Sequence, residues 1–262
     1  MLTTFTFNME KRAFIIGTGP SLNNIDVTKL KNETTITFNR AYVAFEDWGF
    51  DPTYYLAIDG NDIRSLYKDI NKLIRESDIQ KFFLIQLTDN QKHEPRHFQD
   101  FEFKSNEEIY EKSDKVFLIN STGGEVVPKL YNTRQEGNKI LTPVVPNAGF
   151  LGLKMLYHEG YRKIYLCGMD ARYTNDNQYR NVETDGRSFI AKEDNDKNHF
   201  RPDYFGKNVI FGKPNEREII DIWRKFITQG KNGHDSDLEI YSCSEGSNLN
   251  EFIPYVDFNS II

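Results

Sequence analysis

The residues best suited to chemistry fall in three places. The first is Phe14–Asp26, FIIGTGPSLNNID, where an apolar run is broken by Gly17-Thr18-Gly19-Pro20-Ser21. Gly17 and Gly19 remove side chains that would keep a ligand off the backbone. A helix ending near Lys31 is expected to follow, with Ser21 as its N-cap, and amides bared at such a helix start hold a phosphate or carboxylate. The segment matches neither GxGxxG nor GxxxxGK[ST], since no Lys follows Gly19, and it also fits an ordinary strand-to-helix turn. The second place is Asn147-Ala148-Gly149, which opens a helix over Phe150–Glu159, followed by the strand YRKIYLCG and then Met169-Asp170. The third is NHFRPDYFG, where His199, Arg201 and Asp203 sit among three aromatics.

Other candidates are weaker. Asn39 and Arg40 follow the β-rich run TTITF and so face the crevice of an open α/β sheet, although Asn39 also fits a turn. Asp59 and Asp62 can ligate a metal, yet DGND before IRSLYKDINKLI fits a turn and helix cap equally, and no metal site is expected. His93 and His97 are four apart, but Pro95 between them argues for a loop; His158 and His234 read as helix-surface and loop residues.

Several elements must position these groups. Strands are expected at 14–16, 34–38, 53–58, 81–87, 116–120, 161–168 and 238–243, with helices at 62–76, 150–159 and 215–227. This alternation defines an α/β fold with a mostly parallel sheet, in one domain over 1–262. Residues 121–139 read as a surface excursion. Residues 174–198 are polar and poor in aliphatics, which marks a mobile lid over roughly 171–213.

Bulk composition narrows the function. A net charge of −6 excludes general affinity for nucleic acid, so positive charge must be local if a phosphorylated ligand binds. Hydrophobic content of 38% and charged content of 27% describe an ordinary globular chain, and the 14% aromatic content is ample for stacking on bases and sugars. Cys167 and Cys243 lie in apolar strand contexts, as buried thiols of a reducing compartment would. There is no signal peptide or run of 18 apolar residues, so a cytoplasmic protein is expected, with peripheral membrane association and oligomerisation left open.

The ordered set GTGPSL with Asp26 beyond it, TFNRAY, NAGFLGLKMLYHEGYRKIYLCGMD and IYSC resembles the bacterial sialyltransferases that use CMP-sialic acid, family 42 of the glycosyltransferases. The GxGPSL turn also resembles that of the 6-hydroxymethylpterin diphosphokinase-like proteins. The sialyltransferase resemblance implies a Rossmann-like α/β/α sandwich with a lid. Its implied reaction moves a sialic acid or related 2-keto sugar acid from CMP to a glycan hydroxyl of a surface polysaccharide or lipooligosaccharide, without metal or other cofactor. It places the nucleotide on Gly17, Thr18, Gly19, Pro20, Ser21, Asn39, Arg40, Asn147, Ala148, Gly149 and Asp170. Thr18 stands where an Asn is common. It gives Tyr173 and Tyr179, six apart, the donor phosphate; by position alone they also fit packing. Phenol hydroxyls there stabilise charge on a departing phosphate. A lid histidine takes the acceptor proton in that family, and His199 is the histidine in the corresponding segment, with Asp203 as orienting partner or substitute base. A family histidine a few residues farther on has no counterpart, since Lys207 and Lys213 occur there. Arg40, Arg172 and Arg201 are the candidates for the donor carboxylate. Two alternatives stand beside this reading. One is magnesium- and ATP-dependent pyrophosphoryl transfer with Asp59, Asp62 or Asp170 at the ion; the other is a non-catalytic nucleotide-sugar-binding module.

Overall fold

The computed structural model describes residues 11–58, 60–86, 109–124, 127–143, 147–173, 179–181, 188–212, 214–230 and 237–262. His93, His97, His234, Asp59 and Lys213, and the side chain of Asp62, lie outside the described residues.

Apolar runs become strands buried on both faces. β1 (Arg12–Ile16), β2 (Thr34–Phe38), β3 (Tyr54–Ala57), β4 (Lys81–Ile85), β5 (Val116–Ser121), β6 (Arg134–Glu136), β7 (Lys139–Thr142), β8 (Lys163–Cys167) and β12 (Glu239–Ser242) form a nine-stranded sheet in the order β12-β8-β1-β2-β3-β4-β5-β7-β6. All neighbouring pairs are parallel except β6 with β7. Consecutive residues of β1, Ala13 to Ile16, are all fully buried, which requires cover on both faces and makes the domain an α/β sandwich. That cover includes α1 (Phe45–Trp48), α2 (Gly60–Glu76), α3 (Ala148–His158) and α4 (Glu216–Lys225). α3 packs on β1, β2 and β3 with Phe150 fully buried, and Trp223 of α4 and Phe226 just beyond it meet Phe150 edge-on.

Four sequence expectations change. The helix after the glycine turn is instead two short 3-10 turns, Pro20–Asn24 and Val27–Leu30. Asn23, Asn24 and Asp26 favour local side-chain bonding over a continuous helix, and Asp26 Oδ1 accepts from the Thr28 amide at 3.2 Å. Ser21 is not the N-cap: Gly19 holds that position, without a side-chain bond, and Ser21 is inside the turn. The excursion over 121–139 ends in sheet. β6 is an edge strand with all three residues exposed, so its composition stays polar. Finally, part of the lid is itself a sheet, with β9 (Tyr179–Asn181), β10 (Ser188–Ala191) and β11 (Ile210–Gly212) antiparallel in the order β11-β10-β9. Among the described residues no helix is long and apolar enough to cross a membrane.

The chain walks from β1 outward to β7 and then returns to lay β8 on the opposite side of β1. This reversal opens a crevice at the carboxyl ends of β1 and β8, where ligands bind in open α/β sheets.

Candidate functional site

Backbone chemistry builds the crevice floor. After β1, the Gly17 amide donates to Cys167 O at 2.7 Å and the Gly19 amide to Gly168 O at 2.8 Å. The Ser21 amide donates to Asp170 Oδ2 at 2.9 Å. The two strand-end loops are thus zipped together, and these three amides serve the fold. A Cβ on Gly17 would lie 2.4 Å from Gly168 O, and one on Gly19 would lie 2.3 Å from Asp170 Oδ2. The glycines therefore permit loop-to-loop contact, a different reason from ligand approach.

A third loop, unnoticed in the sequence, clasps the same floor after β12. Ser244 Oγ accepts from the Met169 amide at 2.9 Å, and Ser247 Oγ donates to Met169 O at 2.6 Å. Asn248 Nδ2 donates to Ala171 O at 3.1 Å, and this clasp holds Ala171 at φ +49°, left-handed for a residue with a Cβ. Asp170 is 7% exposed, and its Oδ1 has no hydrogen-bond partner; Ser21 Oγ and Asn39 Oδ1 are likewise buried and unpartnered. Buried polar atoms are normally bonded, so the Asp170 and Asn39 oxygens suit donors from a ligand and the Ser21 hydroxyl suits a donor or an acceptor.

At the carboxyl end of β2, Asn39 turns the chain at φ +53° into a 3-10 helix, Asn39–Ala44, and its carbonyl accepts from Tyr55 Oη at 2.5 Å. Arg40 follows, half-buried, with Nε donating to Tyr204 O at 2.7 Å. Asn147 caps α3, its Oδ1 accepting from the Phe150 amide at 2.6 Å, and the helix expected over Phe150–Glu159 starts at Ala148. Ala148 begins that helix, and Gly149 is buried under Met169.

The lid side is a polar relay within an aromatic box. His199 is 8% exposed; its Nδ1 meets Asp196 Oδ2 at 2.8 Å and its Nε2 meets Tyr173 Oη at 3.0 Å. Asp196, 5% exposed, also accepts from the Asn198 amide at 2.9 Å. The Tyr204 ring stacks on the imidazole at 4.0 Å, and Phe205 stands edge-on to it at 4.9 Å. A carboxylate at Nδ1 fixes the tautomer that leaves Nε2 as acceptor, and the Tyr173 hydroxyl then donates to it. The lid meets the crevice where the Phe200 amide donates to Thr18 O at 3.0 Å, and Phe200 packs against Trp48 of α1.

Asp203 is elsewhere. Arg201 forks onto it at 2.8 and 2.9 Å and also pairs with Asp47, and the fork holds the Asp203 carboxyl below its ordinary range. The carboxylate on the histidine is Asp196, which the sequence reading passed over inside a stretch judged by its polarity. Its signal was the i, i+3 spacing to His199. Tyr179 opens β9, but its side chain lies outside the described residues, so its distance from Tyr173 is not defined. Pro20 is the first residue of the 3-10 turn, and Arg172 is exposed. Among the described residues no three His, Cys, Asp or Glu side chains gather as metal ligands.

The fold defines an α/β protein whose candidate site lies at the sheet's switch point, beside a small antiparallel sheet. The chain belongs to the MptE-like family, described as 6-hydroxymethylpterin diphosphokinase MptE-like, whose model matches residues 2–176. It is similar in fold to the MAf glycosyltransferase of Magnetospirillum magneticum AMB-1, with 15% identity and a TM-score of 0.51 over 96% of this chain and 34% of that one. The chain thus spans about a third of that enzyme's length. The sialyltransferase CstII of Campylobacter jejuni, solved with the substrate analogue CMP-3FNeuAc, matches at 15% identity and a TM-score of 0.46 over 94% of this chain and 86% of that one. No curated protein sequence matches the chain significantly.

Proposed function

We propose that the protein is a glycosyltransferase that moves a 2-keto sugar acid from a CMP-sugar to a glycan hydroxyl, with His199 as general base. The observation that carries this reading is the Asp196–His199–Tyr173 relay, set over the switch-point crevice. The acceptor hydroxyl gives its proton to His199 Nε2 as its oxygen bonds the anomeric carbon. The bond from that carbon to the phosphate oxygen breaks, and its electron pair leaves with CMP. Asp196 keeps the proton on Nδ1 before the reaction and stabilises the imidazolium afterwards. Tyr173 has two mutually exclusive partners. In the structure its hydroxyl is on Nε2; when the donor phosphate arrives it turns to a phosphate oxygen, which bares the base and supplies a donor to the leaving group. On this reading Tyr179 supplies a second such donor. No metal or other cofactor takes part. Two buried free thiols, Cys167 and Cys243, support a reducing cytoplasmic setting.

A second reading rests on the family description: magnesium- and ATP-dependent pyrophosphoryl transfer to a hydroxymethyl pterin, with the unpartnered Asp170 Oδ1 as one ligand of the ion. Titration calorimetry with CMP, CDP, ATP and GTP, each with and without magnesium, separates the two. Preferred binding of CMP without magnesium is the expected result. Magnesium-dependent preference for ATP overturns the first reading in favour of the second. Nucleotide-sugar binding with no CMP release toward any acceptor leaves a binding module.

A further inference from the structure

A buried or half-buried guanidinium in a protein is normally neutralised, and this structure follows the rule with one exception at the crevice. Half-buried Arg12 is forked by Glu33, and Arg201 by Asp203 with Asp47 added. Among the described arginines Arg40, Arg172 and Arg217 form no ion pair, and the latter two are exposed to water, where a bare charge costs little. Arg40 is half-buried at the carboxyl end of β2. One N–H, on Nε, is held by Tyr204 O at 2.7 Å, which fixes the plane of the fork, and its two terminal nitrogens bond to no described residue. The nearby Asp203 is already taken by both arms of Arg201. Tyr204, whose backbone carbonyl holds Arg40, is also the residue whose ring stacks on the His199 imidazole, so one residue links the guanidinium to the proposed base. The unpartnered side-chain atoms at these strand ends are oxygens: Ser21 Oγ after β1, Asp170 Oδ1 after β8, and Asn39 Oδ1 beside Arg40 after β2. The strand ends therefore carry unpartnered oxygens and one preset fork that makes no direct ion pair, although Arg40 feels the charge of nearby Asp203.

We propose that Arg40 is the anion anchor of the donor site, binding in bidentate fashion an oxyanion of the ligand close to the reacting carbon. Resting on the CMP-sugar reading, that oxyanion is either the sugar's carboxylate or the nucleotide phosphate. Both present the paired oxygens that a guanidinium fork matches and an ammonium does not. Arg201 is excluded from the role by its own two carboxylates, and Arg172 by its exposure. A carboxylate at this place would make the site selective for acidic sugars, because a neutral sugar would leave the fork desolvated and unpaired.

The test is calorimetric binding of cytidine, CMP and a CMP-sialic acid analogue fluorinated at C3 to wild type, Arg40→Gln and Arg40→Lys, with thermal melts to establish folding. Loss of a charge-assisted fork should weaken binding by about 10- to 100-fold, with Arg40→Lys recovering part of it. A loss confined to the sugar analogue assigns the carboxylate. An equal loss for CMP and the analogue, with cytidine unchanged, assigns the phosphate. Equal weakening of all three ligands would mean that Arg40 acts only by holding the lid through Tyr204 O, and it overturns the proposal. So does unchanged binding of all three by the variants. Failure of wild type to bind any of the three overturns the CMP-sugar reading and the anchor with it, whereas wild-type binding with indifferent variants overturns the anchor alone. If Arg40→Gln does not fold, Arg40→Lys carries the same comparison.

Discussion

A histidine held between a carboxylate and a phenol has three separable jobs in it, and each variant removes one. His199→Ala removes the base and should lower turnover by about 10²- to 10⁴-fold while leaving nucleotide affinity nearly intact, and the acid limb of the pH–rate profile should vanish with it. Asp196→Asn keeps a hydrogen-bonding group of the same shape at Nδ1 but permits the wrong tautomer. It should slow turnover by roughly 10-fold or more and keep an acid limb. Tyr173→Phe deletes a donor whose worth grows as charge builds on the leaving phosphate, for a loss of about 10- to 1000-fold, again with the limb preserved. A His199→Ala enzyme with near-normal turnover and an intact limb would remove the base assignment. How much of this was legible depends on what each residue shows locally. His199 stood out because its aromatic neighbours are written beside it in NHFRPDYF, and the structure does set it against Tyr204 and Phe205. Asp196 did not, because the choice between it and Asp203, three and four residues from His199, depends on Arg201, which takes up Asp203 and pairs with Asp47 of α1.

At the scale of elements, the glycines were legible as positions but not in their physical reason. Gly17 and Gly19 look outward in sequence logic, toward a ligand, whereas each turns its missing side chain toward the loop after β8. This yields an ordered series of substitutions. Gly17→Ala forces a Cβ onto rigid backbone 2.4 Å away and should destabilise by about 1–3 kcal/mol or more, by the overpacking rule. Gly149→Ala meets the end of the flexible Met169 side chain, at 2.1 Å, and should cost less because Met169 can turn aside. Gly152, inside α3, would place its Cβ 3.8 Å from Ile36 in ordinary contact, so Gly152→Ala should raise stability by about 0.5–1 kcal/mol through helix propensity. Urea midpoints of the three variants check the order; a Gly152→Ala protein less stable than Gly17→Ala would contradict the packing described. The strands of the sheet interior were legible because burial on both faces leaves continuous apolar runs such as FII and KFFLI. The edge strand β6 was not, because an exposed edge is written in the same polar residues as a loop.

For the whole molecule, the division that matters is between the sheet and the lid, and it should be visible in the free-energy cost of opening each. β1, β2, β3, β4 and β8 are interior strands flanked by neighbours on both sides, and nearly all their residues are buried. Their amides can exchange with solvent only when most of the domain opens. β9, β10 and β11 form a separate sheet of three- and four-residue strands, tied to the main body through α2 and the 196–205 segment. Local openings draw on the regions with the fewest buried contacts, so the lid sheet should exchange through sub-global events well below the global unfolding free energy. Strand order itself, and hence the switch point between β1 and β8, lies beyond what periodicity can reveal. The pairing of the GTG turn with the strand ending in Gly168-Met169-Asp170 was nevertheless foreseeable, because both motifs end strands at the same edge of a parallel sheet. Hydrogen exchange read by mass spectrometry tests the division. In the free protein, amides of 179–181 and 188–191 should exchange at least about 100-fold faster than those of 13–16 and 164–167, the ratio expected for an opening about 2.7 kcal/mol less costly. Saturating CMP-sugar analogue should slow exchange in 188–205, where Arg40 and Thr18 engage the lid backbone, and leave β1 unchanged. Equal protection of lid and sheet in the free protein would mean that the lid is part of the cooperative core, and the donor would then have to enter a site that opens only with the fold.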